Sequence, residues 1–386
     1  MECTRSGNIC RALVVLTSAF LTPIAALAAQ YRLVDLGTLG GPSSVAYAIN
    51  DSGQIVGAAS YPSAPPDTPN HAFIYQNGKM SALGDPFSSG GSVATAINAN
   101  GSTVGYALPV NSGFPSYSGP VVWENGLVAT VGTTPSTGVF TGINASGQAS
   151  GYSNIHALRF GNGTLTDLGT LGATYGRSGA TGINDNGQLC GYASLSGTNS
   201  ANTVHAFLYG TGAMTDLGSL GGNSYASAIN ASGQVAGVSY LSNNLTLHAV
   251  LYDHGSILDL PTLGTNSYAF AINNRADIVG YYYESGNSST FRAFLFSGGV
   301  MQDLNSTIDP GSGFTLQSAE VINNVGQIVG YGTNVYGQTH GFLLTPVPEP
   351  SALVWIGVVG MIVHRRLRVS LQKSCRVLHR RPILIA

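Results

Sequence analysis

One short kernel recurs seven times, and it restricts the fold of this chain more than any other property. It consists of a small or β-branched residue, Ile-Asn, two further residues, usually a Gly, and a short run that ends in Gly. The copies begin at Ala48-Ile-Asn50, Ala96-Ile-Asn98, Gly142-Ile-Asn144, Gly182-Ile-Asn184, Ala228-Ile-Asn230, Ala271-Ile-Asn273 and Val321-Ile-Asn323. They end at Gly57, Gly105, Gly151, Gly191, Gly237, Gly280 and Gly330. From one kernel Asn to the next the steps are 48, 46, 40, 46, 43 and 50 residues. A chain of 386 residues would otherwise suggest two or three domains, but a repeat of this period takes precedence over length.

Each kernel reads as a hairpin. Asn suits the first position of a type I turn, and Gly three places on accepts the left-handed conformation of a bulged hairpin. Six copies carry that glycine: Gly53, Gly101, Gly147, Gly187, Gly233 and Gly326. The sixth kernel has Ala276 instead, where a positive φ costs roughly 1–2 kcal/mol. That repeat is expected to have a different turn or a strained one.

A third run follows each hairpin: His71-Ala-Phe-Ile-Tyr75, His156-Ala-Leu-Arg-Phe160, His205-Ala-Phe-Leu-Tyr209, His248-Ala-Val-Leu-Tyr252, Arg292-Ala-Phe-Leu-Phe296 and His340-Gly-Phe-Leu-Leu344. The second repeat is degenerate, with Pro120-Val-Val-Trp123 in this place. A fourth run often holds Asp-Leu, at Asp167, Asp216, Asp259 and Asp303, whereas the first repeat has Ser81-Ala-Leu-Gly84 without the acid. These runs have strand length with turn residues between them, and the body shows no sustained helical spacing.

Four strands in 40 to 50 residues is the size of a propeller blade. The ends of the array are complementary. An Asp-Leu run, Asp35 to Gly41, precedes the first kernel, and the seventh repeat stops at Leu344 without one. An N-terminal strand that completes the last blade would close the ring and remove its open edges. The expected fold is therefore all-β, a seven-bladed β-propeller closed by the N-terminal strand. A β-solenoid or an irregular sandwich would also take four short strands per repeat, but neither needs complementary ends.

Composition agrees with short strands and tight turns: 52 glycines, only 8% charged residues, and 44% hydrophobic residues with which to build a core. Between Gln30 and Pro350 stand six bases and 16 acids, a balance of about −10. There is no basic stripe for phosphates, so nucleic acid is an unsuitable partner. Of the cysteines, Cys3, Cys10 and Cys375 lie in the terminal segments. Cys190 stands alone in the body, at a position filled elsewhere by Val56, Ala236 and Val329, and reads as a small buried hydrophobe.

Both ends read as processing signals. Residues 1–28 have a basic start (Arg5, Arg11), an apolar stretch and an Ala26-Leu27-Ala28 cleavage site, the layout of a secretory signal peptide. At the other end, Val347-Pro-Glu-Pro350 precedes a 13-residue apolar run, 351–363, and then His364-Arg-Arg-Leu-Arg368. That run is short for a membrane span, which needs about 20 residues, although snorkelling arginines help and place this flank in the cytoplasm. The segment 347–368 resembles the PEP-CTERM sorting signal of Gram-negative bacteria, with Pro348, Glu349 and Pro350 as the motif and Arg365, Arg366 and Arg368 as the basic cluster. The resemblance implies a transient inner-membrane anchor and processing by an exosortase, a membrane Cys protease. The basic extension 369–386 departs from the family, whose members usually end soon after the cluster. The repeats, over about residues 31–345, resemble the extracellular HAF repeat family. That resemblance implies an exported β-repeat protein, residues 29–346, and brings no defined reaction.

No residue pattern here specifies catalysis. The five histidines of the third runs are expected to bond within their own blade, as His205 with Asp216, because equivalent positions in different blades lie too far apart to share a metal ion. The recurring aspartates belong to the frame, whereas a glycosidase needs one specific carboxylate pair. Asp51-Ser-Gly and Asp185-Asn-Gly lack the further ligands of calcium loops. No cofactor is implied. Non-repeated connections carry the candidate contacts: Tyr61, Tyr117, Tyr281, Tyr282 and Tyr283, whose rings could stack on sugars. The expected function is a non-catalytic exported protein of the cell surface or extracellular matrix, acting in adhesion or exopolysaccharide association. The alternative is a glycan-acting hydrolase or lyase with a site at one propeller mouth.

Overall fold

The computed structural model describes residues 31–62, 70–86, 90–108, 119–131, 138–153, 155–195, 203–210, 212–242, 245–285 and 289–347. The signal-peptide segment and the sorting motif with its apolar run, basic cluster and extension lie outside them, as does Tyr117.

The described chain is all-β: seven four-stranded antiparallel sheets form a seven-bladed propeller, with two short 3-10 turns, Leu304–Thr307 and Pro310–Ser312, between the last two blades. The inner strands are Ser44–Ile49, Gly91–Ile97, Gly138–Ile143, Ser178–Ile183, Gly221–Ile229, Ser267–Ile272 and Thr315–Ile322. Blades one to six take their strands in sequence order. The degenerate second repeat is a full blade, with Gly119–Glu124 as its third strand. In the seventh sheet the outer place is held by Tyr31–Asp35, beside Thr339–Pro346. Leu36 N donates to Gly341 O at 2.9 Å just beyond it.

The kernel turns sit on one face of the disc. Each turn closes with the Gly N–H donating to the Asn carbonyl, as Gly53 to Asn50 at 3.0 Å. Ala276 makes the same bond to Asn273 at 3.1 Å with φ of 61°, so the sixth repeat keeps the common turn and holds it strained. The kernel Asn does more than begin the turn. Its Oδ1 accepts from the backbone two and four residues on, at 3.1 and 3.0 Å for Asn50. Its Nδ2 donates to the carbonyl of the next kernel Asn: 50 to 98, 98 to 144, 144 to 184, 184 to 230, 230 to 273 and 273 to 323. Asn323 donates to Asn50 O at 3.1 Å and completes the circle. In five kernels the Gln after the turn, such as Gln54, accepts the second amide proton. The amides are buried and satisfied, which is the condition for tolerating them inside.

The glycine that ends each kernel has a separate cause. Each inner strand carries a β-bulge, for example between Ala46 and Ala48. Opposite it, a Cβ at Gly57 would run into Val45 O, and one at Gly280 into Tyr268 O. The His-Ala-Phe run packs the blades together. Ala72, Ala157, Ala206, Ala249 and Ala293 are buried, and Phe73, Phe207, Phe294 and Phe342 fill the core. The buried Ala N–H donates to a serine in the first half of the next inner strand: Ala72 to Ser92, Ala157 to Ser178, Ala206 to Ser224 and Ala249 to Ser267, at 2.8–3.0 Å. Cys190 is buried in the packing between blades, and burial pushes its thiol up to about 12.

Candidate functional site

The opposite face carries the long connections and the openings of the inner strands, and two kinds of residue converge on it. The first is the corner formed by His and Asp. His156 Nδ1 meets Asp167 at 2.9 Å, His205 meets Asp216 at 3.0 Å, and His248 meets Asp259 at 2.8 Å. The pairing expected of His205 is therefore present. The carboxylate also takes the backbone N–H of the Gly two residues on, as Asp216 from Gly218 at 2.7 Å. His340 pairs with Asp35, at the other end of the chain, at 2.9 Å. In the first repeat, Asp85 stands in for the absent acid and meets His71 at 2.7 Å. It lies beyond the Ser81–Gly84 run, and it also accepts from Ser92. In the sixth blade Arg292 takes the histidine's place and pairs with Glu284. These groups are committed to turns, and among the described residues no three His, Cys, Asp or Glu side chains gather as metal ligands. Asp51 and Asp185, the faint calcium-loop acids, instead cap the neighbouring blade's turn, Asp51 accepting from Asn324 N and Asp185 from Ala145 N.

The second kind lines the central channel, a cavity of about 560 Å³. It lies within the range of small-molecule sites, about 300–1,000 Å³. The seven bulges aim one residue each at this space: Tyr47, Thr95, Thr141, Thr181, Ser227, Phe270 and Glu320. A bulge turns a side chain out of the alternation of its strand, which is how a core-facing strand comes to present these groups. Three of them serve the frame, since Thr95, Thr141 and Thr181 donate to Phe140 O, Ala180 O and Ala226 O of the next blade at 2.7–2.9 Å.

The remaining positions are unlike one another. Glu320 is the one carboxylate among the residues lining this cavity. It accepts from Ser318 Oγ at 2.6 Å, and no Lys, Arg or His lines the cavity with it. The residue is half-buried in the channel wall. Burial pushes its pKa up to about 7, against the pull of the Ser318 hydroxyl. Beside it, burial holds Tyr47 up at about 12, and Tyr331 is also raised, so both phenols stay neutral at neutral pH.

The rim above blades six and seven is aromatic. Tyr268 stacks on Tyr281 with ring centres 4.6 Å apart and planes at 15°. Tyr281 also meets Phe270, Tyr283 and Phe291 at 5.3–5.6 Å, and Phe291 reaches Tyr331 at 6.5 Å. Tyr192 and Tyr225 form a second pair at 5.5 Å. Of the sugar-stacking residues expected from the sequence, Tyr281 and Tyr283 belong to this half-buried cluster. Tyr282 does not: it points to the opposite side of its strand and is buried at 6% exposure, so it offers no stacking face. Tyr61 is apart from the cluster and packs on His71 with ring centres 4.3 Å apart.

No protein-family model and no curated protein sequence matches the chain. Among solved structures, it is similar to a protein described as TolB from Agrobacterium tumefaciens, with 12% identity, a TM-score of 0.38, and coverage of 54% of this chain and 74% of that one. It is also similar to an acylaminoacyl peptidase from Pyrococcus horikoshii, with 8% identity, a TM-score of 0.38, and coverage of 66% of this chain and 45% of that one.

Proposed function

We propose that this chain is a non-catalytic exported repeat protein that binds glycan at the aromatic mouth of a closed propeller. On this reading Tyr31–Asp35 closes the ring, and the C-terminal signal delivers the protein to an exosortase and then to the cell surface or extracellular matrix. The aromatic rim carries the reading. Flat rings with hydroxyl handles suit the apolar faces of sugars, and here they cluster where the blades depart from their repeat. Against hydrolysis stands the chemistry of the wall. A glycosidase requires two carboxylates about 5–9.5 Å apart, and the described lining of the channel holds Glu320 alone.

One observation favours the alternative of a glycan-acting enzyme: Glu320 is unrepeated and held near neutrality, the poise of a general acid or base. A glycan array with the secreted chain, followed by assay of each bound glycan for new chain ends, separates the two readings. Binding without new ends supports the proposal, and cleavage of any bound glycan overturns it. For sorting, replacing Pro348, Glu349 and Pro350 by alanine is expected to leave the C-terminal segment attached. An unchanged mature mass in that variant would refute exosortase processing.

A further inference from the structure

Glu320 occupies a slot that the other blades fill with groups of no charge. In ring order its neighbours are Phe270 on one side and Tyr47 on the other, whereas the far wall presents Thr95, Thr141 and Thr181. The channel is thus two-sided, with hydroxyls tied into the frame opposite a carboxylate whose neighbours in ring order are both aromatic. A carboxylate withdrawn from water is costly unless it takes up a proton or a positive charge meets it. Here Ser318 supplies one hydrogen bond, and no cationic side chain lines the cavity. A threonine would have served the frame, as it does in three other blades, so the fold does not require the acid. What the arrangement lacks is a cation, and aromatic faces beside a carboxylate favour an ammonium over a hydrated metal ion.

We propose that the channel at Glu320 binds the protonated amine of an amino-sugar unit, with Phe270 and Tyr47 flanking the ammonium group. The inference rests on the glycan-binding reading and narrows it to chains with free amines, such as deacetylated hexosamine polymers. Acetylation removes the charge and leaves the sugar's apolar face, so the two forms differ at the carboxylate and not at the rim.

The test measures binding of the mature chain to a glucosamine hexamer and to its fully N-acetylated counterpart. The expected result is a preference for the free amine on the order of tenfold to a hundredfold, the contribution of a hydrogen bond to a charged group. Glu320→Gln should abolish that preference while leaving affinity for the acetylated hexamer within about twofold. Glu320→Thr, the residue used at this slot in three other blades, should behave alike and guards against a folding defect in the first variant. Equal affinity of the unaltered protein for both hexamers would overturn this inference and leave the glycan reading standing. A preference that survives both substitutions would likewise overturn it. Failure of the array to show any glycan bound would remove both.

Discussion

At the scale of single residues, two positions depart from the repeat. Ala276 holds a left-handed turn that glycine holds in the other six kernels. Ala276→Gly should stabilise the protein by about 1 kcal/mol, since glycine removes a strain of roughly 1–2 kcal/mol and loses part of that gain to chain entropy. Equilibrium denaturation reads it; an unchanged midpoint would mean that the turn carries no strain. Glu320 has a pH signature. Its folded pKa is raised from 4.5 to about 7, so the native state holds the proton more tightly than the unfolded chain. Its effect is fully favourable below about pH 4.5 and is lost as pH rises to about 7. The groups bearing on it are the neutral Tyr47 and Tyr331 and the Ser318 hydroxyl. Glu320→Gln should therefore remove a fall of about 2 kcal/mol across that window, allowing for water in the channel. Parallel stability–pH curves for the two proteins would contradict this. Little of it was legible in the sequence. The sequence shows that Glu320 precedes an Ile-Asn kernel, but a bulge breaks the alternation that would have assigned its face.

At the scale of elements, the blade corner divides its work unequally. The His205–Asp216 pair is partly exposed, and His205→Ala should cost about 1 kcal/mol without changing glycan binding. Ser224 lies at 0% exposure and both receives Ala206 N and donates to Gly218 O. Ser224→Ala strands a buried N–H and should cost about 2 kcal/mol. A larger loss from the histidine than from the serine, in urea titrations, would reverse this ranking. Most runs of the repeats were readable because strand length, turn glycines and the His-Ala-Phe pattern are local, whereas the fourth strand of the degenerate second repeat, Leu127–Thr130, was not. Asp85 was not readable as His71's partner, because it stands three residues beyond the aligned place and reaches the histidine through a differently shaped corner. The terminal kernel glycines were visible as a pattern without a cause, since the carbonyl that excludes a side chain belongs to the bulged strand opposite.

At the scale of the molecule, the seven kernel amides connect every blade to the next in a circle. Spacing alone announced seven blades, but the circle itself was hidden: each amide's acceptor lies 40 to 50 residues away within the array, and 273 away for the last, Asn323. Among the described residues the repeated frame occupies the kernel asparagines and the channel threonines, and the departures from it, the aromatic rim and Glu320, are where the proposed binding is placed. The most direct measurement is calorimetric binding of the best glycan from the array to the mature chain and to a Tyr268→Ala/Tyr281→Ala variant. Loss of these stacked rings should weaken binding on the order of tenfold, at about 0.5–1.5 kcal/mol for each ring, while the fold persists and no glycan bond is cut. Unchanged affinity in the variant, or cleavage of the glycan by the unaltered protein, would contradict a non-catalytic sugar-binding mouth.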